Sequence, residues 1–183
     1  MTLSRVRSKL GSFDAILSAD GSYRLSPAVE VDLRRAEGLV RERRTPSLDA
    51  QTRQAMVAIL AAHRSGATAS YERFSWAQPM LVRIHGIVCT AGAMLAEDAI
   101  AHLRFDEALA FAGQVAAVDP YDEAACEVVI RVLLARGDVN AARREFRRYA
   151  AALAEELDAE PSARLVTLVG AGAAASVSHP RLR

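Results

Sequence analysis

LRFDEALAFAGQVAAVDPYDEAACEVVIRVLLARGDVNAARREFRRYAAALAEELDAEP, residues 103–161, decides the fold. It divides into short amphipathic helices separated by tight turns, and it repeats. Phe105 and Val139 are 34 residues apart, as are Ala108 and Ala142, and Ala112 and Phe146. Packed helices need a small residue where they approach most closely, and Ala108 and Ala142 fill that position. They also need turns, which Leu103-Arg104-Phe105 and Gly137-Asp138-Val139 supply. Pro120 closes the first unit, because proline disfavours helix in the residue before it. Ala112 and Phe146 are alternate small and large packing positions.

A period of 34 is that of the helix–turn–helix unit of tetratricopeptide (TPR) arrays. Such units bury a continuous core by stacking and present surfaces to partners. The expectation is a mainly α protein, a TPR-like helical-hairpin array that recognises a partner.

Working outward toward the C-terminus, Pro161-Ser162 opens a last short helix through Leu168. The run GAGAAASVSHPRLR, residues 170–183, is expected to be a flexible tail. In the other direction, a long helix is predicted from Pro79 to His102, apolar nearly all round and therefore central. Before it come a small-residue loop, Ser65–Ser70, and a helix over Leu48–His63 with Met56, Ile59 and Leu60 facing inward. Asp32 is a candidate N-cap for a helix over Leu33–Arg44. Residues 13–25 form a predicted hairpin about Asp20-Gly21, a dipeptide that tolerates the positive φ of a tight turn. Residues 2–10 form a short helix with Leu3, Val6 and Leu10 on one face, stopped by Gly11.

Composition narrows the function. The 183 residues carry 23 basic and 22 acidic side chains, so overall charge does not argue for a nucleic-acid ligand. Hydrophobic residues make up 51% but aromatics only 5%, so alanine and leucine carry the apolar content, which favours helix. Two cysteines, Cys89 and Cys126, lie in apolar helical patterns and suit reduced, buried thiols in a cytoplasmic protein. The four histidines are scattered, and no cluster has metal-ligand spacing. There is no phosphate-binding glycine motif and no G-x-S-x-G elbow. Acid pairs such as Glu97-Asp98 are placed on a helix surface without a partner base. No catalytic residue, metal or cofactor is expected, and the chain is not expected to be an enzyme. The N-terminus has no signal-peptide pattern, and the most apolar uncharged run, Ile84–Ala96, is 13 residues and too short to span a bilayer.

The segment from Asp119 resembles the bacterial transcriptional activator domain of the antibiotic-regulatory-protein (SARP) type of transcriptional regulators. The resemblance rests on Asp119-Pro120, Asp122-Glu123, Ala125-Cys126, Leu133-Leu134, Gly137-Asp138 and Ala142. Phe146, Tyr149, Leu153, Glu155-Glu156-Leu157 and Glu160-Pro161-Ser162 continue it, the EEL-x-x-EPS tail being most distinctive. Trp76-Ala77 also fits, and the activator domain is assigned to residues 29–169. In that family a winged-helix DNA-binding domain precedes it. LSRVRSKLG, from Leu3, resembles the second half of the recognition helix. AILSADGSYRLS resembles the C-terminal hairpin, with Gly21, Tyr23 and Leu25 on the wing pattern. Residues 1–27 are therefore assigned as a C-terminal fragment of a winged helix, leaving a short N-terminal β-hairpin. About the last third of that domain is represented, so its DNA-binding half is incomplete.

The resemblance implies a transcriptional regulator, with partners in DNA if the winged helix is complete in the native protein, in the transcription machinery or another protein, or in a second copy as a homodimer. It implies no membrane. Ser4, Arg5, Arg7, Ser8, Lys9 and Arg24 are the candidate DNA contacts. Arg143, Arg144, Arg147 and Arg148 form a dense cluster around Glu145, with Arg143–Arg147 and Arg144–Arg148 stacked as like-charge pairs. Glu155, Glu156, Asp158 or Glu160 could relieve them; otherwise this is a surface for an acidic partner. The rival expectation is a stand-alone helical interaction scaffold that does not bind DNA.

Overall fold

The computed structural model describes residues 3–9, 11, 15–29, 32–41, 47–66 and 68–177. The chain divides into two compact units at Gly38–Leu39. In the first, α1 (Leu3–Lys9) ends at Gly11, whose φ of +68° follows from the need for a left-handed stop, and whose N–H donates to the Ser8 carbonyl at 3.2 Å. Strands β1 (Ile16–Ala19) and β2 (Ser22–Leu25) pair antiparallel, in the register Ile16 with Leu25 and Ala19 with Ser22. Asp20 (φ 49°) and Gly21 (φ 73°) both adopt the positive φ that matches a two-residue turn to the strand twist. Helix α2 runs Asp32–Arg41. The remainder of the helix expected to Arg44 lies outside the described residues.

The second unit is an array of six long helices. Helix α3 (Ala50–Arg64) starts two residues later than expected, because Asp49 caps it by accepting from the Thr52 N–H at 2.9 Å. Two short 3-10 turns, Ala69–Tyr71 and Ser75–Ala77, lead into α4 (Gln78–Ala101), with Pro79 in its first turn. Then follow α5 (Phe105–Val118), α6 (Glu123–Ala135), α7 (Val139–Leu157) and α8 (Ala163–Val177). Phe105 and Val139, the first pair of the repeat, each open a helix. The turns before them rest on Leu103 (φ 58°) and Gly137 (φ 78°). Asp122 and Asp138 cap α6 and α7 through the Ala125 and Ala141 N–H groups at 2.8 and 2.9 Å.

Each helix packs on the next, and α4 and α6 also touch, as do α6 and α8. Ala96, Ala99, Ala108, Ala112, Val115, Val128 and Val132 form the α4–α5–α6 core. Cys126, Ile130, Ala142, Tyr149, Leu153 and Leu165 form the next, with Phe146 packed against it. Ala108 and Ala142 are both fully buried, as close approach requires. Met56, Leu60, Ala91, Met94 and Leu95 join α3 to α4, while Ile59 is only half-buried. The segment Ser75–Ala101 is long and apolar enough to cross a membrane by length and composition. Its Ile87, Leu95 and Ala99 are instead buried in the array, as in the core helix of a bundle.

The Glu160-Pro161-Ser162 motif gains a physical meaning. The Ser162 N–H donates to Glu123 at 2.9 Å, its hydroxyl donates to the same carboxylate, and its Oγ accepts from the Leu165 N–H at 3.3 Å. One serine therefore caps α8 and clamps it to the start of α6. The last helix also overruns its expected end at Leu168, so residues 170–177 of the anticipated tail are helical. Alanine is the best helix former, and no proline intervenes before Pro180. Residues 178–183 lie outside the described residues.

Candidate interaction surfaces

Charge in the helical unit falls into two classes, cations neutralised within the fold and cations left to solvent. The first class centres on Asp98, which the sequence pattern puts on a helix surface and which is in fact 1% exposed. Its Oδ1 accepts from the Leu48 N–H at 3.1 Å and its Oδ2 from Arg104 at 2.6 Å. Arg53 stands 3.4 Å from Oδ2 and His102 3.5 Å from Oδ1. Both arginines reach on to Glu107, at 2.6 and 3.4 Å. One carboxylate thus joins the start of α3, the end of α4 and the first turn of α5. Burial pushes the Asp98 pKa up, but the Leu48 amide, His102 and Arg104 outweigh it, and the net shift is downward.

A second line crosses the even-numbered helices. Arg164 on α8 meets Glu127 on α6 at 2.6 Å, and Arg131 on α6 meets Glu97 on α4 at 2.5 Å. Arg136 reaches Asp106 at 2.6 Å. Arg148 is drawn back to Glu145 on its own helix at 2.5 Å.

Arg143, Arg144 and Arg147 belong to the other class. All three are exposed, and among the described residues none meets a carboxylate. None of Glu155, Glu156, Asp158 and Glu160 reaches them. Arg147 only donates to the Arg143 carbonyl at 3.3 Å, which holds it along the helix. The four arginines of the expected partner surface are therefore three on one exposed ridge, with Arg148 largely neutralised.

A cleft of about 510 Å³ lies beside α4, lined by Val82, His85, Gly86, Cys89, Thr90, Val118, Asp119 and Asp122. Its thiol is passive: burial, then the Asp122 and Asp119 charges, push Cys89 up to about 11. Cys126 is buried and pushed up to about 12. Among the described residues no three His, Cys, Asp or Glu side chains come together to hold a metal.

An aromatic surface that periodicity does not reveal occupies the turns before α4. Phe74 stacks on Trp76 with centroids 5.7 Å apart, and Tyr71 meets Trp76 edge-on at 6.2 Å. Arg73 covers Phe74 at 4.9 Å. Trp76, the only tryptophan, is 67% exposed.

In the first unit, Ser4, Arg5, Ser8 and Lys9 are exposed on α1 and Arg24 is exposed on β2. Arg7 is not equivalent to them. It is half-buried and donates to the Ile16 carbonyl at 2.7 Å, which ties α1 to the hairpin. Its guanidinium is committed to the fold of this unit.

The family model for the bacterial transcriptional activator domain matches residues 31–171. No curated protein and no solved structure matches the chain.

Proposed function

Because the chain belongs to the bacterial transcriptional activator domain family, a regulatory family and not an enzyme family, we propose that it regulates transcription by presenting the α7 ridge to an acidic protein partner. The observation that carries this reading is the division of the arginines. Arg53, Arg104, Arg131, Arg136, Arg148 and Arg164 each meet a carboxylate, whereas Arg143, Arg144 and Arg147 do not. Stacked like charges cost a few tenths of a kcal/mol per pair and serve the fold in no way that offsets it. Guanidinium groups in an exposed row suit carboxylates, which they bind in bidentate fashion. On this reading the protein works in the cytoplasm, without a cofactor or a chemical step.

The proposal for the first unit is contact with DNA. Ser4, Arg5, Ser8, Lys9 and Arg24 are exposed and suit phosphates, with Arg7 in support of the hairpin. The alternative, a helical scaffold that never touches DNA, is separated by the same experiment. Transcript is measured from a responsive promoter with the full chain, R143Q/R144Q/R147Q and R5Q/K9Q, alongside affinity for that promoter duplex. The ridge variant is expected to lower transcript about tenfold with duplex affinity unchanged, since tenfold is about 1.4 kcal/mol of partner binding. R5Q/K9Q is expected to weaken duplex binding and to flatten its log–log salt slope by about 1.8, two phosphate contacts at about 0.9 each. Unchanged transcript with the ridge variant contradicts the partner reading. No duplex binding by the unaltered chain at low salt leaves the scaffold alternative.

A further inference from the structure

The ridge has a complement on the same unit. In the cleft beside α4, Asp119 Oδ1 accepts from the Tyr121 N–H at 2.9 Å and Asp122 Oδ1 from the Ala125 N–H at 2.8 Å. The second oxygen of each carboxylate has no hydrogen-bond partner among the described residues. The two acids sit one turn of chain apart, closed by the Asp122 N–H to Asp119 carbonyl bond of 3.2 Å. Val82, 69% exposed, and Val118 supply apolar surface beside them. Asp119 and Asp122 line the same cleft as Cys89 and Val82, so both acids border this space.

On α7, Arg143 and Arg147 are four residues apart and share a face, at a separation of about 5–6 Å. The ridge is cationic and the cleft anionic, so their charges are complementary. Among the described residues no ion pair joins ridge and cleft within one molecule, which leaves both available to a second copy. A net charge of +1 leaves little general repulsion between copies.

We infer that Arg143 and Arg147 of one molecule dock in the Asp119–Asp122 cleft of a second copy of this chain. The guanidinium groups meet the free carboxylate oxygens, and their methylene stems lie on Val82 and Val118. This rests on the reading of the ridge as a partner surface, and it names the partner.

The test is light scattering on the full chain during size-exclusion chromatography, across a concentration series at about 0.05 M and about 0.5 M salt. D119N/D122N removes the charge while asparagine still accepts the capping hydrogen bond, so the fold is kept. R143Q/R144Q/R147Q removes the ridge. The unaltered chain is expected to rise above monomer mass at low salt and to return toward it at high salt. Each variant alone is expected to associate about tenfold more weakly. An equimolar mixture of the two restores association, since one brings an intact ridge and the other an intact cleft. Monomer mass for the unaltered chain throughout overturns the inference, and so does a mixture no heavier than its components. If the ridge variant loses transcript while the unaltered chain is monomeric, the second copy is excluded as partner and the ridge reading stands.

Discussion

Replacing Asp98 with alanine is expected to cost about 3–5 kcal/mol and to lower the melting temperature by about 6–20 °C. The reason is geometric. A buried carboxylate accepts from the Leu48 amide and the Arg104 guanidinium, with Arg53 and His102 close by. Removing it leaves a backbone N–H and part of two guanidinium groups without their acceptor, at the junction of three helices. Breaking a buried pair from one side is the costly case, because the stranded charge keeps its desolvation penalty. Thermal melts of the variant against the unaltered chain measure it, and a loss under about 1 kcal/mol would sink the assignment. Acid titration adds a signed check. The Asp98 pKa is lowered in the fold, so its contribution is complete above the ordinary carboxylate range. It is lost as pH falls from that range toward the lower folded value. Between those limits the stability of Asp98→Ala should depend less on pH than that of the unaltered chain.

Gly92→Ala is the second large effect, and its sign runs against helix propensity. In an open helix the change from glycine to alanine gains about 1 kcal/mol. Here a Cβ on residue 92 would fall 2.3 Å from Val115 Cγ2 of α5. Val115 is itself 1% exposed in the α4–α5–α6 core, so it has no free space to turn into. Overpacking of this kind typically costs about 1–3 kcal/mol, and the two helices must separate to relieve it. Denaturant unfolding should show a lower midpoint for Gly92→Ala with nearly the same slope. Gly113, on the open side of α5, has nothing within 4 Å of the point where a Cβ would stand, and it serves as the control: Gly113→Ala should be neutral or stabilising.

These two sites mark what one-dimensional pattern conveys and what it does not. Ala108, Ala142, the Asp20-Gly21 turn and the five helices α3–α7 are legible because each depends on local spacing, whereas α8, whose expected end is Leu168, runs on to Val177. The family relation is legible through Glu160-Pro161-Ser162, whose role becomes physical only where Ser162 bridges α8 and Glu123. Asp98 escapes a sequence reading because its partners Leu48 and Arg53 come from a distant segment, and nothing local announces them. A signal does exist: Asp98 stands three and four residues after Leu95 and Met94, on the buried face of α4, where an unpaired carboxylate could not remain. The aromatic surface around Trp76 escapes it because that surface lies on irregular turns, which have no period to read. Four arginines locate the ridge in the sequence, but only geometry separates Arg148, held by Glu145, from the other three.

Among the described residues Arg143, Arg144 and Arg147 meet no carboxylate, and they contribute little to the fold, whereas the paired arginines hold it. Thermal melting of R143Q/R144Q/R147Q beside R104Q tests this most directly, because it needs no partner. R104Q should melt well below the unaltered chain, since it deprives buried Asp98 of its 2.6 Å partner. The ridge variant should melt at the same temperature or slightly above it, as like-charge repulsion along α7 is relieved. A ridge variant that loses as much stability as R104Q would contradict the account.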